Sequence, residues 1–289
     1  MVPEGQGILY LGLWLVGVVA GLYGAGHALL NNRDPRSAAA WAAICLTLPI
    51  LGFLAYLAIG KNRIRTRARR LQGLPEPDAA SPPAQEDAEQ LIPPEYRNLA
   101  FLGRAASGNA LLTGNAVALL QNGDEAYPAM LDAIRRARSS VHLASYIFDS
   151  RGAGEDFVRA LGDAVARGVT VRVLLDGFGE FYSLPRVGAE LASRGVQVRR
   201  FLPLRLFPPS LGVNLRNHRK ILVVDGCEAF TGGMNIRSRH CSRPDGRPPK
   251  IIDLHFRLRG PVVEQIDAVF RADWLFAGGR MPADPAPPC

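Results

Sequence analysis

The stretch NLRNHRKILVVDG, Asn214 to Gly226, sets His218 and Lys220 two residues apart, ahead of four apolar residues and Asp225. Six residues later comes GGMN, Gly232 to Asn235. A strand turns alternate side chains to one face, so His218 and Lys220 at its start are expected to point the same way. A neutral imidazole is a nucleophile for a phosphodiester, and an ammonium beside it offsets charge on the phosphoryl oxygens. Asp225, at the far end of the strand, is out of reach of His218. Its expected work is local, bonding backbone or basic groups around the turn. Gly232 and Gly233 allow close backbone approach to a ligand, and Asn235 offers an amide to a phosphoryl oxygen. An HxK pair alone is common; six fixed positions in order, with an apolar run where a strand must lie, are far more specific. His218, Lys220 and Asp225 are the candidate catalytic set, and Asn235, Gly232 and Gly233 the candidate phosphate-binding set.

The elements that must hold these residues alternate in type. Helical spacing marks Asp124 to Ala137 and Phe157 to Arg167, while Val141 to Phe148 and VTVRVLLDG read as strands. A helix from Val187 to Ala192 follows, then strands near Val196 to Phe201, Ile221 to Val224 and Ile251 to Leu258, and a last helix from Val262 to Phe276. Strands separated by helices predict an α/β layered domain over residues 95–280, with a tail at 281–289. The segment from Ile236 to Lys250 is crowded with Arg and Pro, lacks periodicity and reads as a long surface loop.

Ahead of this domain the chain is apolar. Ile8 to Leu30 and Ala38 to Ile59 carry no Asp, Glu, Lys or Arg, and each exceeds the roughly 20 residues that cross a bilayer. Residues 1–60 are therefore expected to form a two-helix transmembrane hairpin, with spans at about 8–30 and 38–59. A cleaved signal peptide does not fit, because MVPEGQG has Glu4 and no Lys or Arg. Gly17 and Gly21 have the spacing that lets two such helices pack closely. Lys61 to Arg70 holds six basic residues in ten. By the positive-inside rule, that end of the second span is cytoplasmic. Residues 71–94, with six prolines among acidic and small residues, read as a linker. The net charge of +8 suits a membrane surface or nucleic acid equally. Cys45, Cys227, Cys241 and Cys289 show no CxxC or zinc-ligand spacing and read as reduced.

Residues 218–235 resemble the HKD motif of the phospholipase D superfamily. YIFDSRGAGEDFVRAL, ARGVTVRVLLDG, LRNHRKILVVDG and DLHFRLRGPVV…DW resemble, in order, the first catalytic repeat of bacterial cardiolipin synthases, and RDPRSAAAWAAICLTLPILGFLAYLAIGKNR resembles their N-terminal membrane hairpin. The resemblance implies a phospholipase D-like α-β-α domain and a transesterification that uses neither metal nor cofactor. In that family the motif histidine attacks the phosphodiester of phosphatidylglycerol, releases glycerol and passes the phosphatidyl group to a second phosphatidylglycerol, making cardiolipin. By matching position, His218 would be nucleophile, Lys220 and Asn235 phosphate-binding groups and Asp225 a support. Asp253, in IIDLHF, falls where relatives carry an acid that orients the histidine. The implied setting is the bacterial inner membrane, with anionic phospholipid as substrate and the catalytic domain on the cytoplasmic side.

The mechanism needs two histidines, one to attack and one to carry protons, and the family's synthases hold two HKD motifs in one chain. Here His27, His142, His240 and His255 all lack the x-Lys that must follow. Three arrangements are open: a homodimer in which each chain supplies a His218, a second HKD-containing chain, or a lipid-binding subunit without turnover. A single-motif phosphodiesterase acting on nucleic acid is a further alternative. It is disfavoured because no row of aromatic residues for stacking bases is evident after Ala100.

Overall fold

The computed structural model describes residues 4–32, 35–60, 91–203, 216–242 and 245–281. The basic run at 61–70 and most of the proline-rich linker lie outside the described residues. The chain divides into two compact units.

In the N-terminal unit α1 runs Glu4–Asn31, α2 Pro35–Thr47 and α3 Pro49–Ala55, followed by a π-helical turn at Tyr56–Gly60. The expected second span is thus not one continuous helix. Leu48 leaves helical geometry at φ −127° and ψ 71°, because the ring of Pro49 crowds the residue before it out of the α region. Among the described residues one stretch, Tyr10–Asn31 of α1, is long and apolar enough to cross a membrane. Both α2 and α3 pack on α1. Gly21 makes that approach possible, since a Cβ there would stand 2.6 Å from the Cys45 carbonyl oxygen. His27 joins the contact, with Nδ1 2.7 Å from the Tyr56 hydroxyl.

The second unit begins with a 3-10 turn at Pro94–Tyr96 and α4, Arg97–Ser107. Its core elements are β1 (Ala116–Gln121), α5 (Asn122–Arg136), β2 (Ser140–Ser145), α6 (Ala153–Ala166) and β3 (Thr170–Asp176). After a 3-10 turn at Gly179–Tyr182 come α7 (Val187–Ser193), β4 (Gln197–Phe201), β5 (Ile221–Val224), β6 (Glu228–Gly232), β7 (Leu254–Arg259) and α8 (Val262–Phe276). The strands form one mixed sheet in the order β1-β7-β6-β5-β2-β3-β4. Pairs β2–β3 and β3–β4 are parallel; the other four are antiparallel. Strands β2 and β5 are buried along their whole length, as a strand covered on both faces must be.

Alternation along these strands feeds two cores. Val141, Leu143, Leu222, Val224 and Phe230 pack with residues of α5, α6 and α7. Ala144, Leu174, Ile221, Val223 and Ala229 pack with Val263, Phe270 and Trp274 of α8. The result is an α-β-α sandwich. Against the expectation of reduced thiols, Cys227 is disulfide-bonded, while Cys45 and Cys241 are free. Sequence spacing without a motif carries no sign of such a pairing.

Beneath α8 lies a chain of buried polar groups. His142 Nδ1 is 2.6 Å from Asp267 Oδ1, its Nε2 is 3.0 Å from Arg172 Nη1, and its ring stacks on Phe270 at 4.8 Å. Burial pushes the Asp267 carboxyl up, but hydrogen bonds and charge from His142 and Arg271 outweigh it and hold it below the usual range. Removing Asp267 takes away the buried carboxylate that both His142 and Arg271 bond. Asp267→Ala is expected to destabilise the unit by about 3–5 kcal/mol, read as a lower unfolding midpoint of the detergent-solubilised chain.

Candidate active site

His218 and Lys220 lie in the extended segment just ahead of β5, and the His218 side chain is exposed. An exposed imidazole has no packing of its own to fix it, so its neighbours do the work. Asn217 is buried: its N–H donates to Asp176 Oδ2 at 3.1 Å, its amide nitrogen to Asp273 Oδ2 at 2.8 Å, and its Oδ1 accepts the Arg219 N–H at 3.0 Å. Arg219 in turn pairs with Asp273 at 2.5 Å. The backbone on both sides of His218 is therefore tied to carboxylates at the end of β3 and on α8. The ring of Tyr146 then stacks on the imidazole, centroids 4.1 Å apart and planes 20° from parallel. Among the described residues the His218 ring nitrogens have no hydrogen-bond partner, which leaves them open to a substrate.

Lys220 is half-buried. Its Nζ donates to the His218 carbonyl oxygen at 2.5 Å and lies 5.5 Å from the Tyr146 ring centroid, and its own carbonyl accepts from Thr231 Oγ1 at 2.9 Å. Burial lowers the pKa of the ammonium, against the opposing carboxylates of Asp253 and Asp176. His218, Lys220, Ile221, Thr231, Gly232 and Val269 line a shallow groove of about 280 Å³.

Asp225 sits at the other end of β5, in the left-handed region at φ 53°. Its carboxylate accepts the backbone N–H groups of Arg138, Ser139 and Ser140 at 2.9, 2.7 and 2.9 Å. It closes the turn after β5 onto the start of β2 and does not touch His218. Asn235 lies on the far side of the β6 hairpin, where its Oδ1 accepts the Ile147 N–H at 3.0 Å and its carbonyl oxygen is 2.7 Å from the Tyr127 hydroxyl. With the oxygen so held, the Nδ2 donor is the part of the amide left for a ligand.

The Cβ directions of the two glycines are filled by the protein itself. A Cβ on Gly232 would stand 2.7 Å from His255 Nδ1, and one on Gly233 would collide with the Asp253 carboxylate. Among the described residues Asp253 makes no hydrogen bond to His218; it accepts the Leu254 N–H at 2.8 Å. Its influence is electrostatic, on Lys220, His240 and His255. His240 and His255 are buried, each with an Nδ1 that has no partner among the described residues.

Four residues around His218 that the sequence did not single out are Asn217, Asp176, Asp273 and Tyr146, which hold or stack on the segment that carries it. The Asn immediately before His218 was the one local clue.

Two expectations follow. Asp225→Ala strands three N–H groups and should cost roughly 1–3 kcal/mol, visible as a lower unfolding midpoint. Burial pushes the His255 pKa from 6.5 to about 4, with further depression from His240 and Lys220 and opposition from Asp253. Between those values the unfolded chain binds more protons than the folded one. The stability due to this group is therefore complete above 6.5 and is lost as pH falls towards 4. Melting curves of His255→Gln should show a shallower loss over that window than the wild-type chain.

Comparison with known proteins bears on what such a site does. Residues 130–274 match the family model described as cardiolipin synthase, PLD-like domain, and residues 13–61 match one described as phospholipase D-nuclease N-terminal. Cardiolipin synthase of Geobacillus thermodenitrificans is 32% identical over 257 residues, covering 87% of this chain and 51% of that protein. Cardiolipin synthase A of Pseudomonas aeruginosa is 34% identical over 289 residues, 96% of this chain and 58% of that protein. The chain thus spans about half the length of these relatives. Among solved structures, the phospholipase D family member Nuc from Salmonella typhimurium matches 56% of this chain and 95% of its own, at 22% identity and a TM-score of 0.42. With the family model covering half of the sequence and including His218, Lys220, Asp225 and Asn235, the chain belongs to the cardiolipin synthase family of phospholipase D-like domains.

Proposed function

We propose that this chain provides one half-site of a membrane-bound phosphatidyl transferase of cardiolipin synthase type. The observation that carries the reading is an exposed imidazole with unbonded ring nitrogens, held between anchored neighbours and flanked by the Lys220 ammonium. In the proposed reaction a His218 ring nitrogen attacks the phosphorus of phosphatidylglycerol, and the P–O bond to the headgroup glycerol breaks. The leaving alkoxide takes a proton from a second imidazole, and the phosphatidyl group rests on His218. The second imidazole then takes the proton of a hydroxyl on another phosphatidylglycerol. That oxygen attacks phosphorus, the P–N bond breaks, and cardiolipin leaves with His218 restored. Lys220 and the Asn235 amide offset charge on the phosphoryl oxygens; Asp225 holds the strand and Asp253 the electrostatic setting.

In this scheme the second imidazole belongs to a further HKD motif, in a second copy or in a partner; within these 289 residues His218 is the histidine that stands in an HxK setting. The apolar α1 and the basic run after residue 60 support attachment to an anionic membrane, with the α/β unit on the cytoplasmic side.

A mixed-subunit assay tests the proposal. Tagged wild-type and His218→Ala chains are co-expressed, and pure and mixed complexes are supplied with phosphatidylglycerol vesicles. Cardiolipin and glycerol should form in the wild-type complex and fall in the mixed one. A silent wild-type complex that becomes active only with a second HKD chain assigns the missing histidine to that partner. Silence in every combination would overturn the transferase reading.

A further inference from the structure

The stack on His218 is the inner end of a longer aromatic series. From Tyr146 the next ring is Tyr182, with centroids 6.4 Å apart, then Phe178 at 5.8 Å from Tyr182, then Phe181 at 6.5 Å from Phe178. The series ends at the surface: Phe181, Tyr182 and Leu184 are 46%, 53% and 79% exposed. Four large apolar or aromatic side chains thus lead outward from the candidate nucleophile on a turn that could as easily be polar.

That turn is firmly built. Gly179 lies against the Tyr146 carbonyl so closely that any Cβ would collide with it. The Asp176 carboxylate accepts the N–H groups of Phe178 and Gly179 at 2.9 and 3.0 Å. On its far side, the Ser150 N–H donates to Ser183 Oγ at 2.9 Å and the Ser150 hydroxyl to the Pro185 carbonyl at 2.8 Å. The same Asp176 anchors Asn217, so the lip and His218 are fixed to one carboxylate.

We propose that Phe181, Tyr182 and Leu184 form the subsite for the diacylglycerol side of the phospholipid, the part adjoining the ester groups, while the phosphate lies at His218. This rests on the transferase reading above. A phosphodiester at His218 carries two unlike substituents, and an apolar lip on one side of the imidazole sorts them. Arg186, its guanidinium carbon 4.2 Å from the Phe181 ring centroid, adds a cation beside the lip for an anionic lipid. Base stacking fits the geometry less well. The rings meet at 58°, 78° and 46°, so they pack on one another's edges and offer no run of parallel free faces. Leu184 and the guanidinium over Phe181 do not supply one either.

Photo-crosslinking tests this without requiring turnover. A benzophenone amino acid is placed at Phe181, or at Arg194 as a remote exposed control, in the full chain held in phosphatidylcholine nanodiscs. The probe is dihexanoyl phosphatidylglycerol below its micelle-forming concentration, in competition with a labelled oligonucleotide. A lipid adduct at position 181, about fivefold or more above the control, is the expected result. An oligonucleotide adduct, an adduct to a second copy, or no enrichment overturns the subsite. In the active complex, the Phe181→Ser, Leu184→Ser double variant should raise the KM for phosphatidylglycerol about tenfold with little change in kcat, and Phe181→Leu should restore most of it. An active wild type without lipid adducts leaves the transferase reading standing and removes this one; adducts on a chain that never turns over do the reverse.

Discussion

The geometry of the candidate site depends on two buried carboxylates. Asp176, at the end of β3, and Asp273, on α8, come from opposite sides of the short segment before β5 and hold Asn217 and Arg219 between them. A reactive imidazole must be open to solvent, and an open side chain on a free segment would lose the geometry that makes its attack productive. Clamping the flanking residues resolves the conflict, because His218 stays exposed while Asn217 and Arg219 on either side are held by hydrogen bonds and an ion pair. Tyr146 completes the restraint from the ring face. The parallel half of the sheet contributes Asp176 and Tyr146, and the antiparallel half contributes Lys220, Thr231 and Asn235. The boundary between β2 and β5 is where the candidate residues collect.

The same division explains what the sequence could and could not disclose. Local pattern was enough for β5 and α8, whose observed limits, Ile221–Val224 and Val262–Phe276, are the limits of their apolar periodicity. The order of His218, Lys220, Asp225 and Asn235 was visible because all four sit on one hairpin, where spacing along the chain is spacing in the structure. Asp176 and Asp273 were not visible as site residues, since each is ordinary in its own neighbourhood and gains meaning from a partner 41 or 56 residues away. The aromatic series was missed for the same reason: Tyr146 and the Phe178 to Tyr182 turn are distant in sequence and adjacent only when β2 and β3 lie side by side. Gly232 and Gly233 illustrate a different limit. Glycine signals a close approach, but the type alone does not say that the approaching groups are His255 and Asp253.

In the N-terminal unit, proline outweighed hydropathy. An apolar run of sufficient length from Ala38 to Ile59 predicts one span, yet Pro49 divides it and leaves α2 and α3 to follow α1 as separate pieces. The closeness at Gly21 suits such an arrangement, since two short helices must be packed side chain to backbone to remain on their neighbour.

The grip of Asp225 on residues 138–140 also has a meaning in time. The carboxylate and the last of those N–H groups are 85 residues apart, so a ribosome adding about 5–20 residues per second needs on the order of 4–17 s to deliver the second after the first. Throughout that interval β2 has emerged without the neighbour that covers one of its edges, and β3 can shield only the other. A nascent chain with an apolar, half-paired strand is a target for holding factors and for wrong partners alike. In this protein the vulnerable moment of synthesis and the completion of the HKD strand are the same event.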